Sequence, residues 1–231
     1  MSGKLILQQQ LSKFRDRLQA EPLEPEVQEA KNQVISWQIE RINRAHADLR
    51  ADAKTRPTVE FFLKEVYSVR DFRDRDVQLE RVSRILSRIL PESALLYLAQ
   101  VLEMNLLTEE LDTRMAHVIA PLPEFNSADF EPSIWAEVCR RCDDEAQRRR
   151  LVQLIWDGGK RLDSISRNRA LGLAIRVGRR PSELAGLGEL YRIMRQGYDA
   201  FRELPDCDAF LKILVGRETQ VLDEIWSKSS V

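Results

Sequence analysis

Apolar side chains recur at spacings of three and four residues along almost the whole of this chain, and no stretch alternates apolar with polar residues long enough to make a strand. That periodicity restricts the fold to helices. Lys4 to Ala20 carries Leu7, Leu11, Phe14 and Leu18 on one stripe, as a docked amphipathic helix requires. Pro22 and Pro25 then break the chain. Pro25 suits the first turn of a long helix reaching about Lys54, with Val27, Val34, Ile35, Ile39, Ile42 and Leu49 on its apolar face and His46 between the last two.

Thr55-Arg56-Pro57 starts a third helix through Val59, Phe62, Leu63, Val66 and Tyr67, and Asp71 caps a fourth that runs to about Leu90. Pro91 opens a fifth over Glu92 to Asn105, and Thr108 caps a sixth; so short a link predicts a tight antiparallel pair. Ala120 to Ser133 holds Pro121, Pro123 and Pro132 with Asn126 and Ser127, the clearest loop in the chain. Further helices follow over Ser133 to Cys142, Glu145 to about Ile165, Arg169 to Val177, Leu187 to Phe201 and Cys207 to Trp226. The expectation is an all-α fold, a single helical domain over 1–231 forming a bundle of about nine or ten helices. A subdomain boundary, if the chain has one, falls at 120–132.

Composition narrows the function. The chain has 231 residues, enough for one sizeable core, and its 36 bases and 37 acids leave a net charge of −1. Nucleic acid is therefore an unfavoured partner, because no global positive field gathers a polyanion. Three cysteines, Cys139, Cys142 and Cys207, make no closed disulfide set, and no basic, apolar and small-residue leader pattern opens the chain. A reducing, cytoplasmic location follows as the expectation. No apolar run approaches the roughly 18 residues of a membrane span.

Reaction motifs are missing as well. Cys139 and Cys142 form C-x-x-C, but inside a helix and without a second ligand pair, so buried small side chains explain them better than a metal or redox site. Asn43 and Arg114 stand three residues before His46 and His117, where a di-iron bundle needs Glu. Neither a nucleophile elbow nor a phosphate-binding glycine loop is present. No catalytic residue, metal or cofactor is assigned. The acids and bases at Arg140 to Arg150 read as a salt-bridged exposed face, and Arg176, Arg179 and Arg180 could hold a phosphate or an acidic partner.

What remains is a set of charges on apolar stripes. Arg75 or Asp76 shares a face with Phe72, Leu79, Val82 and Leu86. Glu218, preceded by Arg217, lies on the line Leu211, Leu214, Val221, Ile225, and His46 lies on the second helix. A buried charge must be paired, so these groups are expected to meet. The structural reading is a polar network that sets helix register, a clasp of Arg75 and Asp76 on Arg217 and Glu218. The functional reading is a ligand pocket of His46, Tyr67, Arg75, Asp76, Arg217 and Glu218 with His46 as base or ligand contact.

Phe61-Phe62-Leu63, Tyr67, Asp71-Phe72 and Arg75-Asp76, then Phe210-Leu211 and Arg217-Glu218-Thr219, resemble the signature of an uncharacterised, mainly proteobacterial protein family. The likeness runs from about His46 to the end of the chain. It implies a bacterial, cytosolic helical protein and brings no activity with it. With no reaction motif, the expected function is a non-enzymatic scaffold or adaptor that binds a protein or itself. The first helix, with Leu7, Leu11, Phe14 and Leu18, supplies spare apolar surface for that role.

Overall fold

The computed structural model describes residues 2–63, 92–122, 131–177, 179–180 and 188–227, and the regular structure in them is helical throughout. The fold is all-α. The helices are α1 (Gly3–Leu18), α2 (Pro25–Ala45), α3 (Ala47–Ala51), α4 (Arg56–Phe61), α5 (Glu92–Ile119), α6 (Pro132–Cys142), α7 (Glu145–Ser166), α8 (Arg169–Val177), α9 (Gly188–Glu203) and α10 (Cys207–Ser227).

Two boundaries differ from the sequence reading, each for a local reason. The expected fifth and sixth helices are one continuous helix, α5. Thr108 does not cap a new helix; its hydroxyl donates back to the Met104 carbonyl at 2.9 Å, a bond compatible with a helix interior. No Gly or Pro interrupts Glu92 to Ile119, so nothing else breaks it. The long helix expected to reach Lys54 instead ends at Ala45, where His46 leaves helical geometry at φ −120° and ψ 24°. A helix end leaves its last carbonyls open. Arg217 fills one of them, donating from Nη1 to the Ala45 oxygen at 2.7 Å.

The chain divides into two compact units, the first comprising Met1–Ala20, Asp48–Glu103 and Asp157–Phe210. Its α1 docks as its stripe demands: Leu7 is buried with Leu95, Ala99 and Leu102, and Leu11 and Phe14 pack against them. The surface offered as spare is thus largely covered within the unit. A second contact joins α4 to α9. Phe62 meets Phe201 edge-on at 5.8 Å and stacks on Phe210 at 6.5 Å, while the buried Thr58 hydroxyl donates to the Ala200 carbonyl at 3.2 Å. Gly197 allows this approach, since a Cβ there would sit 2.7 Å from the Phe61 ring.

The second unit comprises Glu21–Ala47, Met104–Trp156 and Leu211–Val231. Its core gathers Val34 and Trp37 of α2, Met115, Ala116 and Ile119 of α5, Trp135, Val138 and Cys139 of α6, and Leu222 and Ile225 of α10. Between α6 and α7 the chain turns through Asp143, whose φ of 49° is a left-handed conformation that Asp tolerates better than most residues.

A buried ion network in the second unit

On α10, Leu211, Leu214 and Ile225 are buried, and Glu218 lies on the same line. Its carboxylate is held from two sides. Arg41 of α2 donates from Nη2 to Oε2 at 2.7 Å and from Nη1 to Oε1 at 3.3 Å. His46 places Nε2 at 3.1 Å from Oε1. The side chains of Arg41, Glu218 and His46 are 16%, 14% and 3% exposed, so this ion cluster is largely withdrawn from water.

Burial alone pushes the Glu218 carboxyl up, but the His46 hydrogen bond and the Arg41 charge outweigh it and hold the group down at about 2. Glu218 is therefore ionised, and the His46 nitrogen facing it carries the hydrogen. The neighbouring Arg217 grips the Ala45 carbonyl, so two consecutive residues of α10 secure the last turn of α2.

The network continues through Trp135, which stacks on Trp37 with centroids 5.1 Å apart. Arg41 lies over the Trp135 ring at 5.2 Å and Arg148 of α7 at 5.8 Å, both within cation–π reach. Arg148 is itself buried and forks onto the fully buried Asp144, with Nε to Oδ1 at 2.7 Å and Nη2 to Oδ2 at 3.1 Å. Nearby, the buried Lys31 pairs with Glu109, and the Gln38 amide donates to the buried Asp112 at 2.5 Å.

Of the residues predicted to form a site, His46, Arg217 and Glu218 come together where the C-terminal end of α2 meets the middle of α10. Tyr67, Arg75 and Asp76 lie outside the described residues, and so does their predicted clasp on Arg217 and Glu218. Arg41 escaped the sequence reading, although Val34, Trp37 and Arg41 share the buried face of α2 at i, i+3 and i+7. Asp112 escaped it too, although it stands at the head of the stripe Met115, Ala116, Ile119.

The basic stretch read as an exposed face is corrected in part. Arg149 and Glu145 do form a half-exposed pair, as expected, but Arg148 and Asp144 face inward. Cys139 is buried in the core, and its thiol is pushed up to about 12 by burial; Cys142 and Cys207 are pushed up to about 11 for the same reason. All three stay protonated near neutral pH. Among the described residues no group of His, Cys, Asp and Glu is placed to hold a metal ion. Among them, too, no helix is long and apolar enough to cross a membrane.

Fold and network together define an all-α protein in which one unit is built around buried ion pairs and stacked tryptophans. The chain belongs to the family described as Domain of unknown function (DUF8198), whose model matches residues 17–231. Comparison with curated proteins and with solved structures finds no match.

Proposed function

We propose that this chain is a non-enzymatic helical scaffold, a bacterial cytoplasmic protein whose exposed surface engages another protein or a second copy of itself. One observation carries the reading: both oxygens of Glu218 are occupied by Arg41 and His46, and Arg217 holds a backbone carbonyl. A general acid or base must reach a substrate proton. These groups reach one another instead. The thiols, protonated near neutral pH and buried except for the half-buried Cys142, add no nucleophile, and each unit keeps large apolar side chains in solvent, Leu173 at 63% exposure in the first and Ile213 at 41% in the second. Sedimentation of the full chain over a wide concentration range tests self-association. The expected result is a mass that rises with concentration and returns to the monomer in Leu173→Glu.

A second reading is a small-molecule site, or an enzyme, with a polar pocket around His46, Arg75, Asp76 and Glu218. It is favoured by three buried atoms that have no hydrogen-bond partner among the described residues: Nδ1 of His46, Nε of Arg41 and Nε1 of Trp135. Small carboxylates and inorganic phosphate are the probes. A ligand at a hundredfold its Kd adds about 2.7 kcal/mol of stability, which thermal unfolding detects readily. Stabilisation of that size that disappears in His46→Gln, in a chain that stays monomeric throughout, replaces the scaffold reading with this one.

A further inference from the structure

We infer that Asp112 is a proton-operated latch inside the second unit, a surplus buried carboxylate that closes the unit when protonated and loosens it when ionised. Lys31 of α2 is held by Glu109 of α5, and Arg148 of α7 is held through two hydrogen bonds by Asp144. Both cations near Asp112 are thus already matched by other carboxylates. Asp112 itself, only 6% exposed, receives its hydrogen bond from the neutral Gln38 amide of α2. On the α6 side the Arg148 guanidinium faces the thiols of Cys139 and Cys142, which are uncharged near neutral pH and supply no balancing charge. An ionised Asp112 is therefore one negative charge too many in a dry site.

The direction in which its surroundings push the Asp112 carboxyl agrees with this count of charges. Burial is the largest influence on Asp112 and Glu109 adds to it; Arg148, Lys31 and the Gln38 hydrogen bond oppose them, and the group settles at about 7 against an ordinary 3.8. Because the folded chain holds this proton more tightly than the unfolded chain, the stabilisation is fully present below pH 3.8 and is lost as pH rises through about 7. Above that point Asp112 competes with Asp144 for Arg148 and with Glu109 for Lys31. Arg148 lies over Trp135, and Trp135 stacks on Trp37, the residue before Gln38. A shift of Arg148 therefore disturbs the tryptophan pair, giving the latch an optical signal.

Urea unfolding of the full chain and of Asp112→Asn between about pH 5 and pH 8 tests the latch. For the natural chain, relative to Asp112→Asn, the folded-to-unfolded ratio is expected to fall about tenfold for each pH unit up to the titration point. His46 and Glu218 are unchanged in both chains, so their contributions cancel in the comparison. Equal pH slopes overturn the proposal. If Asp112→Asn fails to fold, carboxyl NMR of the natural chain labelled at aspartate decides the matter. One aspartate titrating near neutrality, with tryptophan fluorescence moving at the same midpoint, supports the latch. Aspartates that all titrate below about pH 5 contradict it.

Discussion

Glu218→Ala is expected to lower stability at neutral pH by about 3 kcal/mol or more, read as a fall in the urea midpoint at unchanged slope. The reason is what it leaves behind. Arg41 and His46 lose the carboxylate they share, and with side chains only 16% and 3% exposed they cannot recover their hydration in full. Removing one partner of a buried pair costs about 3–5 kcal/mol, and the partial exposure of Arg41 places this case toward the lower end. Removing Glu145 from its half-exposed pair with Arg149 is expected to cost only about 0.2–1 kcal/mol.

The pH dependence follows from the same carboxylate. Its folded value is held at about 2 against an ordinary 4.5, so its contribution is present above 4.5 and lost as pH falls toward 2. The gap between the natural chain and Glu218→Ala should therefore narrow across that acid window. A gap that stays constant down to the bottom of it would show that the loss comes from packing rather than from charge.

Trp135→Ala is the other large effect, an expected loss of about 3–5 kcal/mol. Trp135 is 4% exposed and stacked on Trp37, so truncation opens a void that the surrounding helices close only in part. It also takes away the aromatic surface beneath Arg41 and Arg148. Trp135→Phe keeps an aromatic face and is expected to lose less than half as much. Thermal unfolding of the two variants checks this, and near-equal losses would show that neither the filled volume nor the aromatic face accounts for the effect.

The helices were largely legible because burial repeats every three to four residues whatever lies on the other side. Arg169–Val177 and the start of α10 at Cys207 were read directly. The reading failed where one residue type serves two purposes: Thr108 has the chemistry of a cap and spends it on the carbonyl behind it. His46 and Glu218 stood out because each has apolar stripe residues on both sides, whereas Asp112 only heads its stripe. Arg41 did not, since a long guanidinium side chain near a stripe is usually read as reaching out to solvent.

Partners were beyond reach of spacing alone. Asp144 with Arg148 and Glu145 with Arg149 share the same four-residue separation, yet one pair is buried and the other half-exposed. What separates them is Trp135, which lies against Arg148 from a different helix. The ligation of Glu218 by α2 likewise depends on a tertiary approach across more than 170 positions of sequence.

If Arg41 and Glu218 serve architecture rather than chemistry, a double-mutant cycle on the pair shows it. Unfolding of Arg41→Met, Glu218→Leu and the double variant is measured at neutral pH. A buried pair replaced as a whole by apolar side chains leaves no stranded charge, so the double variant should recover most of what Glu218→Leu loses, a coupling of about 2–3 kcal/mol. A double variant whose loss equals the sum of the two single losses would contradict the account.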